Sequence, residues 1–203
     1  MSDIITLDKE AKKKILAGIA ILAKCLKLTL SPHCHYVLIR KSDGTVISSN
    51  KGDVIAEILH LNDPLEQIGI DLLREGSAGK PFTIMLAEAI IRIGMNLVFD
   101  GNDSMEIKKD LEASLPLFLE AIDQMGVPVQ TDNSSIISEE SSKNLYINFF
   151  PELAFHASDV VSKAFKELRP FLPLSLTQVR EALNNAIATA GALLTVETMI
   201  TKK

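Results

Sequence analysis

Residues 82–99 read FTIMLAEAIIRIGMNLVF, a run that is apolar on almost every side of a helical projection. Its length suits a membrane span, but Glu88 and Arg92 interrupt it at an i, i+4 spacing that suits a mutual ion pair on a helix in water. The run is therefore predicted to be the central buried helix of a helical domain. It should be the most buried element, because it alone lacks a broad polar face.

Helices able to cover such a centre lie on both sides of it. Upstream, residues 8–27 place Ile15, Ile19, Leu22 and Leu26 in one stripe, with Lys12, Lys13, Lys14 and Lys24 elsewhere. The texture changes at Tyr36, where two β-prone runs flank Asp43-Gly44 and predict a hairpin over residues 36–49. Helical pattern resumes over Val54 to Leu61, then from Asp63 or Pro64 to Glu75 with Leu65, Ile68, Leu72 and Leu73 on one face; Gly76, Gly79 and Pro81 then punctuate the chain. Downstream, Asp103 and Glu106 form a capping-box pattern before a helix carrying Met105, Leu111, Leu115, Leu119 and Ile122 to Met125, which Pro116 is expected to kink.

Residues 130–143 are polar and rich in Ser, a linker or surface excursion. Ser158 is then expected to cap a helix holding Val160, Val161, Ala164, Phe165 and Leu168, which stops before Pro170. The last helix is predicted from Thr177 to Thr195, with Ala186, Ala188, Ala190, Gly191 and Ala192 permitting close approach. The alternating, β-branched end reads as a short strand.

Composition narrows the function classes. The 203 residues carry a net charge of −5 and no long Lys/Arg run, so the electrostatic footprint of a nucleic-acid binder is missing. Aromatic residues make up 5% and Trp is absent, which leaves little for base stacking. Two cysteines cannot staple a chain of this size, and the opening Met1 to Thr6 lacks signal-peptide texture, so a cytoplasmic protein without a membrane partner is expected.

The order of these elements, with Leu28-Thr29-Leu30-Ser31-Pro32 after the first helix and Ala190-Gly191-Ala192-Leu193-Leu194-Thr195-Val196-Glu197-Thr198-Met199 at the end, resembles the group I chaperonins, the GroEL family. Residues 9–75, 80–128 and 177–200 are similar to parts of that family's equatorial domain. The resemblance implies a mainly α fold, an equatorial-domain-like helical bundle with a small β-hairpin and short terminal strands. It also implies one domain in space, made of residues 1–128 and 151–203. Residues 129–150 stand where the family has its intermediate and apical domains and are too few to hold either, so the family's capture of unfolded chains is not carried over.

The family's nucleotide site is matched in degenerate form. Thr29, Leu30, Ser31 and Pro32 stand at its phosphate loop, with Ser31 where the family has Gly. Lys51 stands at a carboxylate that serves the metal and the attacking water. Ser77-Ala78-Gly79-Lys80-Pro81-Phe82 replaces an Asp-Gly-Thr-Thr-Thr loop, keeping only Gly79, and Leu174, Ser175 or Leu176 meets a third family Asp. Phosphoryl transfer depends on metal and charge placement, so ATPase activity is expected to be lost, with no catalytic residue and neither ATP nor magnesium as a cofactor.

Other local signals are weaker. Ser77 to Pro81 lacks the second Gly and the Ser or Thr of a Walker loop, and is better read as a helix-to-helix turn with Pro81 at the first helical position. His33 and His35 could share an ion, with Cys34, Cys25, His60 and His156 elsewhere, but a solvated loop is the favoured reading and no metal is expected. Met85, Met95 and Met125 fall on apolar faces and read as core.

The expected function is a chaperonin-like structural or interaction protein, associating with itself or with chaperonin subunits. The alternatives are a residual ATP-binding module using Thr29, Leu30, Ser31 and Pro32, and a small metal-binding helical domain. In the family, a subunit's two terminal strands pair with the hairpin of its ring neighbour. Residues 4–7, 36–49 and 199–201 supply the same parts here. Lacking intermediate and apical contacts, with only Lys202 and Lys203 after the last strand, they are expected to give a concentration-dependent oligomer.

Overall fold

The computed structural model describes residues 3–30, 35–41, 43–124, 156–168 and 176–202. Helix α1 (Asp8–Thr29) buries its expected stripe: Ile15, Ile19, Leu22 and Leu26 are wholly inaccessible to solvent. It crosses α3 (Pro64–Gly76) at very short range. A Cβ added to Gly18 would lie 2.0 Å from the Glu66 carbonyl oxygen, and one added to Gly69 would lie 2.6 Å from that of Ile15. The close crossing turns α3 about its axis relative to the sequence expectation. Gly69, Ile70 and Leu73 face inward, Leu65 and Ile68 are half-buried, and Leu72 is exposed.

Asp63 caps α3, its Oδ1 accepting from the backbone N–H of Leu65 at 2.9 Å, with Pro64 at the first helical position. Its other carboxylate oxygen accepts from Lys14 Nζ at 2.5 Å, tying the start of α3 to α1. The hydrogen bond from Lys14 holds the Asp63 carboxyl below its ordinary range, and the same bond raises the Lys14 ammonium above its own. The depressed acid contributes stability above its unfolded pKa and loses it as pH falls through the folded value; the raised base loses its share only as pH climbs past the ordinary lysine range. Asp63→Asn keeps a capping oxygen and removes the charge. Its melting temperature should fall slightly below wild type at neutral pH and converge with it in acid, which a pH series of thermal melts would check.

Helix α2 (Gly52–Ile58) ends earlier than its pattern suggests, because Leu59 turns extended. The end is held by α3: Arg74 donates from Nε to the Ala56 carbonyl at 2.6 Å and from Nη2 to that of Leu59 at 2.8 Å. The hairpin forms as predicted, β2 (Val37–Arg40) antiparallel to β3 (Val46–Ser49), with Ile39 opposite Ile47. Gly44 takes φ +84° in the turn, and the Asp43 carboxylate accepts from the backbone N–H and hydroxyl of Thr45.

Helix α4 (Pro81–Phe99) is the centre. Ile84, Met85, Leu86, Ile90, Ile91 and Met95 are fully buried. By length and composition it could span a membrane, yet α1, α6 (His156–Leu168) and α7 (Leu176–Leu194) all pack on it. Its Glu88–Arg92 pair forms at 3.0 Å, but the carboxylate is buried and also accepts from Lys27 Nζ of α1 at 3.1 Å, while Arg92 reaches Glu167 of α6. The α4 and α7 helices run in the same direction: Lys80 before α4 pairs with Glu181 early in α7, and Gly94 meets Leu194 late in both.

Helix α5 (Ser104–Gln124) packs on α6 and α7 and continues through Pro116. Asp103 caps the helix as expected, but its carboxylate accepts from the backbone N–H of Met105, not from that of Glu106 as in a capping box. Ser158 lies inside α6, not at its cap: the helix begins at His156, since nothing in His156 or Ala157 opposes helical geometry and Asp159 suits the first turn. The two strands β1 (Asp3–Leu7) and β4 (Thr198–Lys202) form an antiparallel ribbon, Ile5 opposite Ile200. Residues 129–150, and with them the expected excursion, lie outside the described residues, as does Met125.

Candidate functional site

Three chain segments converge on Gly52. A Cβ there would lie 2.9 Å from Pro81 Cγ and 3.4 Å from Leu26 Cδ2, so only glycine lets the start of α2 sit between the end of α1 and the start of α4. This brings the segments carrying Thr29 and Leu30, Lys51, and Gly79 to one place. Ser31, Pro32, His33 and Cys34 lie outside the described residues, as do Leu174 and Ser175; Leu176 opens α7.

The described residues of the site bond mainly within their own elements. Thr29 is buried and its hydroxyl donates to the Leu26 carbonyl at 2.9 Å, a bond within its own helix. Leu30 is half-buried and its N–H also turns back to Leu26. Lys51 is exposed, with its backbone N–H on Ser49 Oγ and its carbonyl accepting the first bond of α2 from Ile55. Asp53, two residues beyond the position where the resemblance expects a carboxylate, is exposed in the first turn of α2, where the helix dipole favours it.

Residues 77–80 form the turn expected between two helices, with Pro81 at the first position of α4. The Ala78 N–H bonds to the Glu75 carbonyl and the Gly79 N–H to that of Arg74, the paired bonds of a Schellman ending. Gly79 takes φ +70°, and Ala78 takes φ +50° in a region that L residues other than Gly and Asn avoid. These bonds close the turn on α3, and Lys80 is held by Glu181. Ala78→Gly should relieve the strain and raise the unfolding free energy by about 1 kcal/mol, readable as a shifted urea midpoint with unchanged slope.

Among the described residues no three His, Cys, Asp or Glu side chains gather to hold a metal ion. His35 and His60 are exposed, and His156 opens α6. Cys25 is half-buried, and desolvation pushes its thiol up, away from the reactive thiolate. The long-range partners that sequence reasoning missed include Lys80–Glu181, Arg180–Asp123, Lys27–Glu88 and Arg92–Glu167. All span more than fifty residues, and no local spacing signals them.

No family model matches the chain. Over 139 residues it is 31% identical to chaperonin GroEL 1 of Protochlamydia amoebophila strain UWE25, a match that takes in 64% of this chain and 25% of that protein. The chain thus spans about a quarter of the length of the curated relative it matches. The likeness supports a chaperonin relationship, and the mainly helical architecture with its two-stranded hairpin is consistent with an equatorial-like bundle of that kind.

Proposed function

We propose that the protein is a chaperonin-related interaction module of the cytoplasm, without ATPase activity and without the family's substrate-capturing domain, that associates with itself or with chaperonin subunits by adding strands edge to edge. The observation that carries this reading is the pair of separate two-stranded sheets. The β1–β4 ribbon and the β2–β3 hairpin have no further strand partner among the described residues, so each has open edges. Unpaired edge N–H and C=O groups are templates for a strand from another chain.

Loss of ATP turnover is supported by Lys51, a cation where the resemblance places a metal-serving carboxylate, and by the closed turn at Ala78 and Gly79. The short stretch between α5 and α6, residues 125–155, falls below the usual size of a domain, which favours a reading without an apical counterpart. The net charge of −5 and the lack of a long Lys/Arg run speak against a nucleic-acid partner.

Light scattering after size exclusion, over a range of concentrations, should show a concentration-dependent oligomer. Deleting residues 199–203 should move the population toward monomer with helical circular dichroism intact. An unchanged mass distribution on deletion, or a strict monomer at high concentration in the parent, would remove the self-association reading. ATP hydrolysis above background that falls on mutating Thr29 or Ser31 would overturn the loss of activity.

A further inference from the structure

Charge is divided unevenly along the chain. Residues 11–52 carry eight Lys and Arg against one acid, Asp43, a net of +7 in a chain whose total is −5, so the remaining residues hold −12. Part of the positive charge is neutralised within the fold, Lys14 by Asp63 and Lys27 by Glu88. Much of the rest is presented outward near the hairpin: Arg40 ends β2 and Lys41 follows it, Lys51 comes two residues after β3, and Lys24 lies in the closing turns of α1, all exposed. Among the described residues the side chains of Lys24, Arg40 and Lys51 make no hydrogen bond or ion pair. The carboxylate of Asp43 already accepts from the N–H and hydroxyl of Thr45, and the next acids, Asp53 and Glu57, belong to α2, on which the inner face of the hairpin rests.

The same region carries the most open apolar side chains. Among the described residues the three large apolar groups with the highest exposure are Leu38 at 73%, Tyr36 at 69% and Val46 at 62%. The register sets Arg40 opposite Val46, and alternation along β2 puts Leu38 on the same side, so Leu38, Arg40 and Val46 share the outer face. Ile39 is buried on the inner face. Tyr36 directly precedes β2, and the His35 N–H donates to the Leu28 carbonyl at 3.1 Å. That bond brings exposed Leu28, and Lys24 one turn before it on α1, up to the root of the hairpin. Single exposed apolar residues are ordinary, but three this open on one short ribbon, beside unpaired cations, mark an interaction surface.

We infer that the outer face of this hairpin docks on an anionic phospholipid surface. Leu38 and Val46 enter the boundary between headgroups and acyl chains, Tyr36 sits at headgroup level with its hydroxyl in water, and Arg40, Lys41 and Lys51 pair with lipid phosphates. A bilayer fits better than an acidic protein because the apolar groups project from a narrow two-stranded ribbon, which sinks into a fluid surface without a matching pocket. The acids elsewhere on the chain do not oppose the contact, since charges more than about 10 Å from the lipid are largely screened. The contact is peripheral: α4, the described helix long and apolar enough to cross a membrane, is mostly buried in the core. It needs neither a signal segment nor a span, so it revises the expectation of no membrane partner and is compatible with a cytoplasmic protein. It goes beyond the self-association proposed above and does not depend on it, because strand addition uses the edges of a ribbon and lipid docking uses its face.

Co-sedimentation with vesicles tests it. The parent should bind vesicles of phosphatidylcholine containing phosphatidylglycerol, bind pure phosphatidylcholine vesicles about tenfold less, and lose affinity as salt rises. Leu38→Ser with Val46→Ser, and separately Arg40→Gln with Lys41→Gln, should each weaken binding about tenfold with helical circular dichroism unchanged. Met105→Ser on α5, exposed at 48%, is the control and should bind as the parent does. Because the chain has no Trp, Leu38→Trp supplies a single fluorophore whose emission should shift to the blue on the anionic vesicles. A parent that does not bind, equal binding to both vesicle types, parental binding in either double variant, or an unshifted Trp emission overturns the lipid assignment. Loss in the charge variant alone would identify a purely ionic contact, as with an acidic protein, and overturns it as well. Failure of vesicle binding leaves the self-association reading intact, and an unchanged mass on deleting residues 199–203 leaves lipid docking intact, so the two fail separately.

Discussion

Gly18→Ala should lower the unfolding free energy by about 3 kcal/mol, although the same change at an exposed helical position would raise it by about 1 kcal/mol through helix propensity. The sign reverses because a methyl group at Gly18 meets the Glu66 carbonyl at 2.0 Å, and both partners are backbone of packed helices. Neither can yield without separating α1 from α3, and with them the core around Ile15, Ile19 and Ile70. Gly191→Ala is the control: its methyl would meet only the Lys108 side chain, at 3.2 Å, which can swing aside, so that variant should be neutral or slightly more stable. Urea unfolding of the two variants against wild type reads the difference directly. Equal effects would mean that α1 and α3 do not cross at Gly18.

Glu88→Ala is the second large effect, an expected loss of about 2 kcal/mol. Removing the buried carboxylate leaves Lys27 and Arg92 without the anion between them. Outright breakage of a buried pair costs more, about 3–5 kcal/mol, but both cations are roughly a third exposed and can turn to water, and Arg92 keeps Glu167. The double variant Glu88→Leu with Lys27→Met should recover most of the loss, because an apolar pair removes the desolvation penalty along with the attraction. A denaturation cycle over the single and double variants would separate these terms. A Glu88→Ala protein as stable as wild type would show that the three-helix charge cluster contributes nothing.

What the sequence made legible was periodic. The stripe on α1, the all-apolar α4 and the Asp-Gly hairpin each rest on spacings within one element, and each appears in the structure where expected. What stayed hidden depends on a neighbour. The turn of α3 that exposes Leu72 follows from backbone contact at Gly69, and the early end of α2 follows from Arg74 on another helix. The α4 ion pair was visible as a local spacing, whereas its burial and its tie to Lys27 were not. At the candidate site, the resemblance implied a charge reversal at Lys51, whereas the Ala78 strain and the inward bond of Thr29 required coordinates. The phosphate-loop positions Ser31 and Pro32 fall outside the described residues.

The ribbon sets an order of events. Ile4 and Thr201 are neighbours in β1 and β4, yet nearly the whole chain lies between them. Closing a flexible loop of that length costs about 5 kcal/mol, more than a two-stranded ribbon returns by itself, so the strands meet only after the helices have brought them together. The edge thus comes into being last, as a signature of finished folding. A copy still folding would have no edge to offer, and recruitment through it would admit completed molecules alone.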